Sequence, residues 1–273
     1  MTLPKIRMPA VAGQFYPESA QELKNLIGSF IDKKAVKKDV IGCILPHAGY
    51  IYSGKVAAET VSNIQVKEKV ILLGPNHTGE GAAYSIMTEG AWQTPLGSVK
   101  IDPVLSKQIL GGSKYLEDDS AAHMREHSLE VELPFLQYFR DDFQIVPVAF
   151  MSNRLDELKG IGHEVARVIS KEGLKEKTLL VASSDMTHYE SQADAKAKDD
   201  QAINAILELD EDKLMERIRR LDISMCGYAP AIVLISAAKA LGAKSARLIK
   251  YATSGETTGD TDSVVGYAGI TVY

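Results

Sequence analysis

The chain has 273 residues, 45% of them hydrophobic and 25% charged, the balance of a globular protein with a sizeable core. Its net charge of -5 comes from 36 acidic and 31 basic residues spread without blocks, which excludes the clustered Lys and Arg of a nucleic-acid binder. No apolar run nears the ~20 residues of a membrane span, Pro4 and Pro9 interrupt the start where a signal peptide would have an apolar core, and two cysteines are too few for a disulfide framework. A cytoplasmic protein with reduced thiols and no membrane contact is expected.

No repeat, low-complexity tract or linker divides the sequence, so residues 1–273 read as a single domain. Residues 40–45 predict a buried strand, in which Cys43 is a small core hydrophobe. A helix over 54–63 follows, with Ser53 as its N-cap. A second buried strand spans 69–73 and is closed by Gly74 and Pro75. Segments 84–88 and 98–101 have strand character and are expected to pair, with 92–97 in the connection. Asp102 and Pro103 make a cap and first residue for a helix. Then come a strand at 144–150, an amphipathic helix at 155–171, a strand at 178–182 and polar helices at 193–207 and 211–220. An apolar helix at 228–241 and strands at 247–252 and 264–272 complete the pattern. Such alternation implies the α/β class, a mixed, largely parallel sheet with helices on both faces.

The chemistry gathers just past three of these strands. Pro46-His47-Ala48-Gly49-Tyr50 follows the first, Gly74-Pro75-Asn76-His77 the second, and Ser183-Ser184-Asp185-Met186-Thr187-His188-Tyr189 the one ending near 182. Ligands of open α/β sheets bind at that edge. His47 and His77, flanked by Pro and Gly, are read as metal ligands; imidazole suits Zn, Cu, Fe and Ni alike. Cys226 precedes the helix at 228, where the dipole and unpaired N–H groups favour a thiolate. It reads as a soft ligand, a nucleophile or a buried thiol at a helix start. His47, His77 and Cys226 would make a three-ligand site with open positions. Asp185 and His188 would then serve as acid–base or orienting groups, Asp185 orienting a histidine and His188 moving protons.

His123 and His127 have the i, i+4 spacing of one helix face, but Met124 stands where a zinc-peptidase helix needs Glu. Ser128 with Glu130 and Glu132 reads as a helix start, with His127 and Glu130 lining the crevice, and His163 is expected on a helix surface. Phosphate-binding glycine motifs are absent. Ser183 or Ser184 would suit a hydrolase nucleophile, but no nucleophile-elbow pattern surrounds them. Residues 254–260 read as a mobile polar loop, a candidate lid.

Together these segments resemble the Memo family, also described as protein B of the AmmeMemoRadiSam system. The match spans nearly the whole chain, through Ala12-Gly13-Gln14-Phe15-Tyr16-Pro17, Pro46 to Tyr50, Gly74 to His77, Glu126-His127-Ser128, Ser183 to Tyr189 and Cys226-Gly227. The resemblance implies a fold similar to class III extradiol dioxygenases, which are non-haem iron enzymes. It places His47, His77 and Cys226 on the family's metal positions, for Fe(II) or Cu with Zn as a further possibility. Asp185 and His188 fall on the motif lining the same pocket, His188 at the dioxygenases' acid–base histidine. The dioxygenases carry a carboxylate where Cys226 stands, which counts against ring cleavage within a dioxygenase-like activity, and eukaryotic members look to have Trp at Phe15, so their signalling role does not carry over. The implied function is a metal-dependent oxidoreductase acting on a small molecule; the alternative is a non-enzymatic module binding a peptide or small anion in the same crevice. Implied partners are an AMMECR-type protein and a radical SAM enzyme.

Overall fold

The computed structural model describes residues 6–273. Its centre is four parallel strands in the spatial order Gln144–Phe150, Lys69–Pro75, Thr178–Ser183, Gly42–Leu45. Val264–Val272 adds to Gly42–Leu45 in antiparallel sense and carries Ala246–Thr253 and His188–Glu190 on its other pairings. On the opposite side Gly97–Ile101 lies parallel to Gln144–Phe150 and leads through Ala91–Thr94 to Ile6–Arg7. All twelve strands of the described residues belong to one mixed sheet.

Side chains along a strand alternate between faces, and here both faces are buried. Ile44, Ile71, Leu73, Val146, Val148, Leu180 and Ala182 face the helices Leu155–Lys171 and Tyr228–Ala240. Cys43, Leu45, Val70, Leu72, Ile145, Leu179 and Val181 face the helices Ala20–Phe30, Tyr50–Ser62 and Leu133–Phe139. Double burial explains why these strands read as continuous apolar runs. Tyr228–Ala240 is apolar on nearly every side because it is wedged between the sheet and Leu155–Lys171.

Several local expectations give way to tertiary contacts. The first long helix after Gly42–Leu45 begins one turn early, at Tyr50, with Gly49 as N-cap; Ser53 lies inside it and its hydroxyl donates to the Ala48 carbonyl. Tyr84–Ile86 pairs with Gln144–Phe150, whereas Gly97–Ile101 forms a hairpin with Ala91–Thr94. Residues 254–260 are not a structureless loop: Gly255–Thr258 forms a short helix, and Thr257 Oγ1 donates to the Ile51 carbonyl. Asp102 caps Pro103–Gly112 by accepting from Val104 and Leu105 N–H, as its sequence position implied. Among the described residues no helix is long and apolar enough to cross a membrane.

Candidate metal centre

Three adjacent parallel strands end together and deliver the key loops to one place. Gly42–Leu45 leads to His47, Lys69–Pro75 to His77, and Thr178–Ser183 to Asp185 and His188. Cys226 arrives from the segment preceding Tyr228–Ala240. Ligand atoms of His47, His77 and Cys226 all lie within 4.8 Å of one another. Cys226 Sγ is 3.3 Å from His47 Nε2. Two ligands on one tetrahedral ion, with bonds of about 2.3 Å to sulfur and 2.0 Å to nitrogen, sit about 3.5 Å apart, so the donor set and spacing fit a transition metal.

His77 also belongs to a second cluster with Glu126 and His127. Hydrogen bonding separates the two sets. Glu126 Oε1 takes the His77 Nδ1 at 3.0 Å and the Ser128 N–H at 2.8 Å, and Oε2 takes the His77 backbone N–H. With both oxygens engaged, Glu126 orients the His77 ring and leaves Nε2 for a metal, the outer-carboxylate arrangement common behind ligating histidines. Burial works to raise the Glu126 carboxyl, but the His77 ring hydrogen bond and charge and the backbone N–H groups bring it down to about 2.

His47 is buried, and its Nδ1 lies 2.7 Å from Ser183 Oγ. Burial, then the neighbouring His77 and His127, hold its pKa well below the ordinary value; the neutral imidazole is the ligating form. Asp185 acts on a histidine through the backbone and not through the ring. Its Oδ1 accepts from the backbone N–H of His47 at 2.8 Å and of Ala48 at 3.3 Å, clamping the ligand loop. Burial pushes this carboxyl up to about 7 against those two hydrogen bonds. His188 Nδ1 faces the Ser224 carbonyl at 3.0 Å, and the Met186 backbone also bears on the ring. The expected dipole activation of Cys226 is overcome: burial, then the charge of Asp185, push its thiol up. A bound cation would reverse that order, because a coordinating thiol loses its proton outright.

The loops enclose a cleft of about 530 Å³ lined by His47, His77, His127, Asp185 and His188, with Phe15, Tyr52 and Tyr267 supplying aromatic wall. His127 stacks on His77 with ring centroids 4.8 Å apart and meets Phe15 at 4.9 Å. Its place corrects the helical reading of His123 and His127: the helix Ala121–Met124 stops between them, and His123 is buried against Trp92. Ser128 starts no helix; its hydroxyl donates to the Pro75 carbonyl. Glu130 does not line the cleft either. It is fully buried, paired with Arg7 at 2.6 Å, and accepts from Ala10 and Val11 N–H and the Tyr16 hydroxyl. Arg7 lies over the Trp92 ring at 4.3 Å and donates to the carbonyls of His123 and Glu126, tying the amino-terminal strap to the Glu126 loop. Ser183 and Ser184 are buried with hydroxyls engaged by protein groups, which removes them as exposed nucleophiles. His163 is exposed, as expected.

Residues 7–271 match the family described as Memo-like protein. The chain belongs to the Memo-like family. Among its Memo-like relatives, a MEMO1 family protein of Aquifex aeolicus is 43% identical over 97% of this chain and 98% of that protein. The MEMO1 family protein MK0963 of Methanopyrus kandleri is 42% identical over the same shares of each chain. A solved structure, the uncharacterized protein JW3007 from Escherichia coli K12, superposes with a TM-score of 0.57 at 11% identity, covering 84% of this chain and 98% of that one. It shares the fold of this Memo-like chain.

Proposed function

We propose that the chain holds Fe(II) or Cu on His47 Nε2, His77 Nε2 and Cys226 Sγ and acts as an oxidoreductase on a small molecule admitted to the cleft. The observation that carries this reading is the meeting of two imidazoles and one thiol within 4.8 Å at the carboxyl ends of parallel strands. A metal bound there supplies a redox-active Lewis acid with open coordination positions. The protein does the rest. Glu126 orients His77, and Asp185 grips the backbone of His47. Phe15, Tyr52 and Tyr267 give the cleft aromatic surface for an organic substrate to pack on. His188, which lines the cleft with Nδ1 on the Ser224 carbonyl, gives or takes a proton from bound substrate.

Small-anion binding is the weaker alternative. Among the described residues none of the side chains lining the cleft is Lys or Arg, so an anion would find no fixed positive charge. The test is anaerobic purification followed by metal analysis of the parent and of His47→Ala, His77→Ala and Cys226→Ser. One Fe or Cu per chain in the parent, lost in each variant, is the expected result. Parental Fe and Cu binding in all three variants would overturn the assignment.

A further inference from the structure

Behind His47 runs a buried polar chain through Ser183 to Glu132. Ser183 ends the strand Thr178–Ser183 and is fully buried. Its hydroxyl oxygen has three close partners: His47 Nδ1 at 2.7 Å, the Ser128 carbonyl oxygen at 2.8 Å and Glu132 Oε1 at 2.7 Å. A hydroxyl has one proton to give and two lone pairs to receive. The Ser128 carbonyl can only accept, so it is satisfied only when the Ser183 proton points at it. His47 must then donate from Nδ1–H, and Glu132 must donate from a carboxylic-acid O–H.

The two other placements of that proton each leave a fault. Pointed at an ionised Glu132, it leaves two oxygens facing each other across 2.8 Å with no proton between them. Pointed at His47 Nδ1, it again leaves the Ser128 carbonyl facing Ser183 Oγ across 2.8 Å with no proton between them, and it puts the ring proton on Nε2. Glu132 itself favours the acid. It is fully buried, and its Oε2 has no hydrogen-bond partner. An unpaired carbonyl oxygen in that place costs far less than half of a buried negative charge. Burial also pushes its pKa well above the ordinary value, against the Ser183 hydrogen bond and helped by the charge of Asp185.

We propose that Glu132, held as a carboxylic acid, and Ser183 form a positioning relay that fixes His47 as its Nδ1–H tautomer and keeps Nε2 open for a cation. The purpose of the relay rests on the metal reading above, whereas its hydrogen bonds stand without a metal. Glu132 and Ser183 touch neither the cleft nor the ligand sulfur; they act through His47, as outer-shell partners of ligating histidines do.

The test uses metal-free protein carrying nitrogen-labelled histidine, with long-range proton–nitrogen NMR to locate the ring proton and His47→Gln to assign the signal. The parent is expected to carry the proton on Nδ1. An infrared difference spectrum between parent and Glu132→Gln is expected to show the C=O stretch of a protonated acid. Ser183→Ala and Glu132→Met are expected to give mixed tautomers and roughly 10–100-fold weaker Co(II) binding. Glu132→Gln, whose amide N–H can donate in the same place, is expected to restore both. A parent proton on Nε2, or no acid band, overturns the relay without recourse to any variant's folding. A Ser183→Ala protein with parental tautomer and parental Co(II) affinity also overturns it, and leaves the metal reading intact. If the parent takes up no metal yet loses Nδ1–H on Ser183→Ala, the metal reading falls and the relay stands.

Discussion

Replacing Gly227 with Ala puts a methyl carbon where two atoms already stand. A Cβ built on Gly227 lies 2.2 Å from the carbonyl oxygen of Ser183 and 2.4 Å from Ser184 Cβ, whereas ordinary contact begins near 3.4 Å. Both obstacles belong to the end of a central strand and cannot swing aside like a long side chain. The Cys226 loop must therefore withdraw by roughly 1 Å, stretching the Gly227 N–H bond to Ser184 Oγ, now 3.0 Å. Overpacking of this kind costs about 1–3 kcal/mol, and two immovable neighbours place this case near the top of the range. The same movement takes Cys226 Sγ from 3.3 Å to more than 4 Å from His47 Nε2, beyond the ~3.5 Å that one tetrahedral ion allows two such ligands. Urea denaturation should show the loss of stability, and a Co(II) titration should show affinity down by roughly tenfold or more, as one ligand contact weakens. Parental values in both measurements would mean that the Cys226 loop is not pinned against the strand end, and the steric argument fails.

Glu126→Gln keeps the shape of the His77 clamp but removes its charge; metal affinity is expected to fall roughly 10–100-fold with far-UV circular dichroism unchanged, and equal affinity would show that His77 needs no carboxylate behind it. Burial, followed by the neighbouring Arg7 charge, holds His123 down to about 4 against 6.5 when unfolded. Between these values the unfolded chain binds a proton that the folded chain refuses. Stability therefore falls as pH drops from 6.5 toward 4, by on the order of 3 kcal/mol. His123→Phe should lose one proton's worth of that slope in denaturation series across the window, and an unchanged slope refutes the assignment. Asp199 is buried and accepts from the Thr187 N–H and the Tyr251 hydroxyl, so Asp199→Ala should cost about 1–3 kcal/mol for each stranded donor. A Cβ on Gly266 would lie 2.0 Å from Asp199 Oδ2. The two substitutions should therefore be strongly non-additive, with Gly266→Ala milder in the Asp199→Ala background; simple additivity counts against the contact.

The central strands were legible because burial on both faces removes polar residues from them and leaves Gly, Pro, Asn and Ser to mark their ends. His47 and His77 could be placed for the same reason, since each follows such an end within two residues. Glu126 and His127 were harder. Their neighbours carry the spacing of a helix, and the break after Met124 is imposed by tertiary bonds, Arg7 to the carbonyls of His123 and Glu126 and Glu126 to His77. One signal was available: Glu126, Glu130 and Glu132 stand among Leu129, Val131, Leu133 and Phe135, and carboxylates in so apolar a run need dedicated partners. Ser183 reads in the sequence as a boundary residue or a candidate nucleophile, because nothing local reveals that its hydroxyl is buried against Glu132 and His47. The helix Ala20–Phe30 buries only Leu23 and Ile27, too narrow a stripe to stand out. Cys226 joined the set mainly through the family resemblance, because nothing local ties it to a His47 loop 179 positions earlier.

That separation in sequence governs when an ion can be captured. His47, His77 and Cys226 come from stretches that meet only when the strand ends are assembled. An extended chain has no pair of them close enough to act as a chelate, unlike the short Cys–Cys and His–His spacings of zinc fingers. Metal would then be selected by a finished pocket drawing on the exchangeable pool, not by the emerging polypeptide. The ion's affinity would act wholly on the native state, adding about 2.7 kcal/mol to its stability at a free concentration one hundred times the Kd. Without the ion the native state would forgo that increment and be the less durable form.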